Sequence, residues 1–295
     1  MIGDFIDPIL DNPYYEYDEL PEWYQDNKHI IRGYRSWNRN YLYYFKSILK
    51  CHNETLNIWT HLLGSIIFIF LTIYTFRYNF NLYSEYLGDT ISMFLFLFSS
   101  ITCFSLSSLM HCFYPKSNNT CKCLLLGDYY GIIFLMLCSY NVFIYYLFYC
   151  DYYIQKYYYI FINIYALISI ILLKYIINKK NYIYKILVLS LFIISILIPV
   201  SHHYIYFNNE HSKEFNIEIT FYTSSLCVYF FGFLFYFSKI PESLCSHKYH
   251  CVNYLTSHSI FHTIILIATL INYYGMIKLH NVSKFIDCKN KTSFY

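Results

Sequence analysis

The chain has 295 residues, of which 57% are hydrophobic and only 13% are charged, and its formal net charge is +3. Soluble globular domains carry about a quarter of their residues as charged side chains, so this composition excludes an ordinary water-soluble fold. The small net charge, with no basic or glycine-rich motif, also excludes nucleic acid as a partner. The composition therefore predicts a membrane protein.

The first 57 residues are polar and contain no apolar run typical of a signal peptide, so we expect the first membrane span to act as the signal. Residues 1–34 are predicted to form an acidic cytosolic arm. The acidic stretch 4–26 is typical of a flexible segment, although YDELPEWYQDN near its end is expected to pack beneath the bundle.

Residues 35–57 follow as a juxtamembrane segment. Its sequence RSWNRNYLYYFKSILK places apolar residues on one helical face, which predicts an amphipathic helix on the inner membrane surface.

Seven apolar segments follow, and most reach the ~20 residues that a membrane-spanning helix needs. The fourth segment is the shortest, and we expect it to extend past Lys174, whose side chain can reach the interface. A water-soluble bundle of seven such helices would lack the polar surface to cover it. The sequence therefore predicts an all-α fold, a seven-transmembrane helix bundle over 58–278 with a short non-cytosolic tail at 279–295. The segments lie at about 58–76, 90–114, 129–150, 157–173, 186–206, 219–238 and 252–277.

Lys and Arg residues concentrate on one side of this topology. The N-terminal region holds six of the 21, and the connections after the second, fourth and sixth segments, on the same side, hold eight. The opposite side holds seven, four of them in the C-terminal tail. Because positive charge is enriched in cytosolic segments, the N-terminus is predicted to be cytosolic and the C-terminus to lie on the other side.

Three histidines lie at the cytosolic ends of two predicted spans. The second span ends in SSLMHCFY, which carries His111, and the seventh opens with SHSIFH, which carries His258 and His262. His258 and His262 are one helical turn apart, so they share one face. Asp128, in LLLGDYYGI, is predicted to lie in the first turn of the third helix at the same depth. The four side chains are therefore expected to meet near the inner leaflet.

Three imidazoles and one water molecule form a tetrahedral zinc site with an open position, so these histidines predict a Zn2+ centre. Ser107 lies one turn before His111 and shares its face. Ionisable groups inside a membrane helix are functional candidates by default. The alternative is that each histidine is a hydrogen-bonded structural residue, which is the commoner role of a single interfacial histidine.

The other histidines and cysteines leave further alternatives. His202 and His203 lie at the outer end of the fifth span, and ~30 Å of hydrocarbon separates them from the first set. His61 is expected to be a helix-packing or hydrogen-bonding group. A second, thiolate-rich zinc site is disfavoured because its ligands would be irregularly spaced and because cysteines in the cytosol are usually reduced, free thiols. The eleven cysteines are scattered along the chain and predict no disulfide framework. That second site would use Cys112, Cys121, Cys123, Cys245, His247, His250 and Cys251.

Several motifs, found in the same order, show that the chain resembles the progestin and adipoQ receptor family. This family includes the adiponectin receptors and, more distantly, the hemolysin III proteins. The similarity runs from about residue 18 to 275, and NIWTHLLG, SxxxH and HxxxH together are hard to obtain by chance. The motifs are DELPEWYQDNKHIIRGYR (18–35), SILKCHNETLNIWTHLLG (47–64), SSLMHCFY (107–114), GDYYGI (127–132), KIPE (239–242) and SHSIFH (257–262).

The resemblance implies seven helices, a cytosolic N-terminus and a zinc ion held near the inner leaflet by His111, His258 and His262. The family's nearby aspartate falls on Asp128, and its serine falls on Ser107. The family's activity is described as receptor signalling coupled to hydrolysis of ceramide, an amide-linked lipid. The apolar lining of this chain departs from the family toward Tyr, Phe and Ile, which leaves the substrate open, and no particular protein hormone is implied.

The resemblance implies a zinc-dependent, ceramidase-like lipid amidohydrolase that acts on a membrane lipid. Asp128 would orient or deprotonate the attacking water, and Ser107 would hydrogen-bond that water or the developing oxyanion. Simpler roles stay open, with Asp128 stabilised by a helix dipole and Ser107 serving close helix packing. The alternative function is a non-enzymatic membrane receptor or sensor with a purely structural zinc. A pore is disfavoured because no ring of charged residues recurs within the spans.

Overall fold

The computed structural model describes residues 14–79, 87–177, 182–206, 212–244, 255–284 and 288. Two short antiparallel strands, β1 Tyr15–Glu16 and β2 Arg32–Tyr34, precede the helices. A π-helical turn, Thr75–Asn79, extends α2, and a 3-10 turn, Tyr114–Lys116, follows α3. The helices are α1 Tyr41–Ser47, α2 Thr55–Tyr74, α3 Leu87–Phe113, α4 Asn118–Leu147, α5 Tyr152–Ile177, α6 Tyr182–Ser195, α7 Leu197–Tyr206, α8 Ser212–Ser238 and α9 Ser257–Ser283.

The described helices confirm the predicted all-α membrane bundle. Six of them are long and apolar enough to cross a membrane, and a shorter apolar stretch, Ser190–Ile205, lies where the fifth span was predicted. Many large apolar side chains on these helices face outward, as expected for surfaces that contact lipid. The chain is therefore a multi-pass integral membrane protein.

The fifth span differs from the prediction of one continuous helix, because α6 ends at Ser195 and α7 begins at Leu197. Pro199 explains the break. A proline ring clashes with the carbonyl four residues earlier and cannot donate a hydrogen bond to it, and here that carbonyl belongs to Ser195. The helix is therefore interrupted between Ser195 and Leu197, directly after the carbonyl group with which the Pro199 ring would clash.

The predicted start of the third span is wrong. Helix α4 begins at Asn118, eleven residues before the expected position, because the Ser117 side chain caps it by accepting a hydrogen bond from the Thr120 backbone N–H at 3.2 Å. Asp128 consequently lies about three turns into the helix rather than in its first turn. Since a helix dipole acts mainly within the first turn, it does not explain an acidic residue at this position.

The helices approach closely where glycines replace larger side chains. A Cβ atom on Gly131 of α4 would lie 3.1 Å from the Cys103 Cα atom of α3, and one on Gly232 of α8 would lie 2.8 Å from the Ile264 side chain of α9. Helix α2 also packs against α3 and α9. These contacts bring the starts of α2 and α9 beside the end of α3.

The N-terminal arm is folded from Tyr14 onward, and its first 13 residues lie outside the described range. Tyr24 and Tyr34 are buried and form an aromatic cluster with Tyr114 at the end of α3. The motif YDELPEWYQDN, residues 17–27, therefore packs against the end of the bundle, as expected. The helix expected in the juxtamembrane segment is short: α1 buries Tyr44 and leaves Leu42 and Phe45 exposed.

The expectation that the cysteines form no disulfide is also wrong. Cys150, just after α4, is disulfide-bonded to Cys288, just after α9. The two cysteines are 138 residues apart in sequence, so sequence spacing could not reveal that both follow helices ending on the same side of the bundle.

Candidate metal centre

The end of α3 and the start of α9 bring His111, His258 and His262 together. A nitrogen atom of each ring lies within 4.8 Å of one from each of the others. The Nε2 atoms of His111 and His258 are 3.2 Å apart, and the ring centroids of His111 and His262 are 4.8 Å apart. His111 and His262 are buried, and His258 is partly buried. Among the described residues, these three form the group of His, Cys, Asp and Glu side chains able to hold a metal ion.

A buried arginine fixes the backbone on which His111 lies. The Arg35 guanidinium donates hydrogen bonds to the carbonyl oxygens of His111, at 2.6 Å, and Cys112, at 2.9 Å. It also donates to the Ser47 hydroxyl at 2.9 Å. The last carbonyls of a helix have no partner within the helix, so Arg35 supplies the donors that the end of α3 requires.

The start of α9 is fixed by a capping box and by a buried carboxylate. Thr256 accepts a hydrogen bond from the Ser259 N–H, and the Ser259 hydroxyl accepts one from the Thr256 N–H. Glu242, from the segment after α8, accepts the Ser257 N–H at 2.6 Å and is also hydrogen-bonded to the Ser257 hydroxyl. Asn27 of the N-terminal arm donates to the same carboxylate at 3.0 Å. The first turn of α9, which carries His258, is therefore anchored to two other segments.

Glu54 lies beside the histidines and was missed by the sequence analysis. Its Oε2 atom is 2.7 Å from His111 Nδ1 and also accepts a hydrogen bond from Asn57 Nδ2 at 2.7 Å. Its Oε1 atom accepts from Asn53 Nδ2 at 3.0 Å and from the Tyr114 hydroxyl at 3.1 Å. Burial opposes the charged form, but the hydrogen bonds from His111 and Asn57 hold the pKa of this carboxyl below its usual range.

Two groups from α2 contact His262. Its Nδ1 atom lies 3.3 Å from the Asn57 carbonyl oxygen. The His61 ring stacks on its face, with centroids 3.7 Å apart and an interplanar angle of 9°. His61 is thus a packing residue, as expected, but it packs on a member of the histidine cluster.

The sequence offered one signal for Glu54, because an acidic residue at the start of an apolar helix is unusual. It offered none for Asn57, because the group that contacts His262 is a backbone carbonyl, which no side-chain pattern reveals.

Asp128 and Ser107 lie next to this cluster. Both are buried, and the Asp128 carboxyl interacts with the Ser107 hydroxyl and with the His111 ring. The Asp128 Oδ1 atom has no hydrogen-bond partner among the described residues. A buried carboxylate oxygen without a partner is costly, so this atom is available to a small polar molecule beside His111.

The remaining sequence candidates lie elsewhere or outside the described range. His202 is hydrogen-bonded to Tyr158 at 2.9 Å and packs against Phe148, at the far end of α4 from the cluster. The thiol of Cys112 lies 3.7 Å from the Tyr44 carbonyl oxygen, and Cys121 packs against the aromatic cluster of the N-terminal arm. The stretch with Cys245, His247, His250 and Cys251 lies outside the described residues.

Comparison with known proteins places these features in a family context. Residues 49–273 match the family described as "Haemolysin-III related", a range that contains every residue of the cluster. The chain is 29% identical over 264 residues to "Progestin and adipoQ receptor-like protein 1" of Caenorhabditis elegans, covering 88% of this chain and 59% of that protein. It is 29% identical over 263 residues to "Adiponectin receptor protein" of Drosophila melanogaster, covering 88% and 58%.

A plant protein shows the same level of similarity. The chain is 29% identical over 265 residues to "Heptahelical transmembrane protein 1" of Arabidopsis thaliana, covering 87% of this chain and 78% of that protein. By contrast, the matched region spans only about three fifths of the length of the nematode and fly proteins.

Proposed function

Because the chain belongs to the haemolysin-III-related family, together with the progestin and adipoQ receptor proteins, we propose that it is a receptor-like membrane protein with a zinc centre. The centre would be held by His111, His258 and His262 and would hydrolyse a lipid amide such as ceramide. The observation that carries the proposal is the convergence of these three imidazoles beside a buried carboxylate oxygen that has no hydrogen-bond partner within the described part of the chain.

The donor set suits zinc. Imidazole nitrogens bound at ~2.0–2.1 Å in a tetrahedral arrangement lie about 3.3–3.4 Å apart. The separation of 3.2 Å between the Nε2 atoms of His111 and His258 is close to this value. Three protein ligands leave one tetrahedral position open, which is typical of catalytic rather than structural zinc sites.

The side chains next to the open position supply acid–base and hydrogen-bonding groups. A bound zinc ion would act as a Lewis acid toward a carbonyl oxygen and would lower the pKa of water. Asp128 would accept a proton from water at its Oδ1 atom, since that atom has no partner among the described residues. Ser107 would donate its one hydroxyl proton in a hydrogen bond to the attacking water or to the developing oxyanion.

A membrane lipid is the substrate class that this location favours. The cluster lies at the ends of membrane-spanning helices, so an amide near the lipid headgroups could reach it while the acyl chain stays among apolar side chains. We further propose that this end of the bundle is cytosolic. The disulfide between Cys150 and Cys288 lies at the opposite end, and disulfides persist in oxidising compartments.

Turnover of a labelled ceramide by the purified full-length chain tests the proposal. We expect Asp128→Asn to lower the rate by ~10²-fold or more, because the proton acceptor is lost, while zinc content stays unchanged. The matched control is Asp151→Asn, which retains an N-cap acceptor for the Ile154 N–H far from the cluster.

A non-enzymatic receptor or sensor is the alternative function. It is favoured by the way Arg35, Glu54 and Glu242 bind the segments around the histidines together, since a metal at that junction would stabilise the bundle. Wild-type turnover in Asp128→Asn would show that Asp128 is not the base. An absence of amide hydrolysis by the wild-type protein, with zinc bound, would favour the sensor.

A further inference from the structure

One face at the start of α2 contacts two of the three proposed ligands. Glu54, Asn57 and His61 are spaced three and four residues apart, so their side chains lie along one side of the helix. Glu54 contacts His111, the Asn57 carbonyl contacts His262, and His61 stacks on the ring of His262. Both polar contacts are made to the Nδ1 atom of the histidine.

This choice of atom determines which nitrogen is available to a metal. A neutral imidazole carries one N–H, and a hydrogen bond that fixes it on Nδ1 leaves the lone pair on Nε2. A carboxylate or a carbonyl oxygen can only accept from Nδ1, so both contacts require the proton there. Independently, the Nε2 atom of His111 is the one that lies 3.2 Å from Nε2 of His258.

We propose that Glu54 and the Asn57 carbonyl are positioning groups that fix the Nδ1–H tautomers of His111 and His262, so that both histidines present Nε2 to the metal. The inference rests on the proposed zinc centre but not on hydrolysis. Glu54 would also place a negative charge one ring away from the bound cation, which strengthens His111 as a ligand.

The surroundings of Glu54 suit this role. Its carboxylate accepts from Asn53, Asn57 and Tyr114 as well as facing His111, so its orientation is fixed by partners on both oxygens. Asn57 joins the two contacts, because its side chain bonds Glu54 while its carbonyl oxygen faces His262. Displacing this turn of α2 would therefore disturb two ligands together.

Zinc affinity of the purified full-length chain, measured by competition with a chelator of known affinity, tests the inference without any activity assay. We expect Glu54→Gln to weaken zinc binding by ~10–100-fold, the usual effect of removing such a carboxylate. Asp89→Asn is the matched control, since it removes the charge of another buried carboxylate, 3.7 Å from His280 Nδ1, at the far end of α3 and α9 from the cluster. We expect zinc affinity to be unchanged in Asp89→Asn.

Thermal unfolding of the zinc-free proteins separates positioning from a merely structural role. A positioning role predicts lower zinc affinity in Glu54→Gln with a zinc-free midpoint close to that of Asp89→Asn. Wild-type zinc affinity in Glu54→Gln would overturn the inference, whether or not the midpoint falls. If Glu54→Gln does not fold, Glu54→Asp keeps the charge but moves it away from Nδ1, and we expect an intermediate loss of affinity.

The outcomes also distinguish this inference from the proposed hydrolysis. If the wild-type protein binds zinc but cleaves no ceramide, the proposed hydrolysis is contradicted. The zinc affinity of Glu54→Gln would still test the positioning role in that case. An active enzyme whose Glu54→Gln variant binds zinc as tightly as the wild type would contradict only the positioning role.

Discussion

Replacing Arg35 by Met should destabilise the end of the bundle that carries the histidine cluster. Arg35 is fully buried and donates hydrogen bonds to the carbonyl oxygens of His111 and Cys112 and to the Ser47 hydroxyl. Met fills a similar volume but leaves both carbonyls without these donors. Each buried acceptor that loses its partner costs ~1–3 kcal/mol, so the two together predict a loss of about 2–6 kcal/mol in the free energy of unfolding.

The assay is thermal unfolding of the purified protein in detergent, without and with added zinc. We expect a lower midpoint for Arg35→Met in both conditions and weaker zinc binding, because the backbone of His111 is no longer held. The control is Arg39→Met, since Arg39 is only partly buried and its Nε atom donates to the Ser36 hydroxyl at 3.2 Å. Equal midpoints for the two variants would refute the claim that Arg35 fixes the end of α3.

Two further predictions concern pH and the disulfide. Burial, together with the nearby positive charge of Arg35, lowers the pKa of His52 from its usual 6.5 to about 3. Between these values the unfolded chain binds a proton that the folded chain does not, so stability should fall as the pH drops below 6.5, and urea titrations should show a weaker pH dependence for His52→Gln. Replacing both Cys150 and Cys288 by Ser should lower stability by ~2–5 kcal/mol in thermal unfolding while zinc content is retained. Loss of zinc in that double variant would contradict the placement of the disulfide away from the metal centre.

The architecture could be predicted from the sequence because the hydrocarbon core of a membrane requires each span to be apolar and about 20 residues long. It also identified the histidines that converge, since topology alone places the ends of alternate helices at one face. His111 and the pair His258 and His262 were therefore expected together before any packing was known, and the structure brings them together. Their role as zinc ligands stays a prediction.

The features that the sequence analysis missed depend on local geometry or on distant contacts. The early start of α4 depends on a single capping serine, Ser117, within a polar connection. The pairing of Cys150 with Cys288 depends on where two helices end in space. Glu54 was assigned to a juxtamembrane segment, and only the packing of α2 against α3 shows that its carboxylate faces His111.

Zinc content of the purified wild-type chain, compared with His258→Ala and His262→Ala, tests the metal centre most directly. We expect about one zinc per chain in the wild type and in the control His202→Ala, whose side chain lies at the far end of the bundle, and a large loss in the other two variants. Equal zinc in all four proteins would contradict the assignment of these histidines as metal ligands.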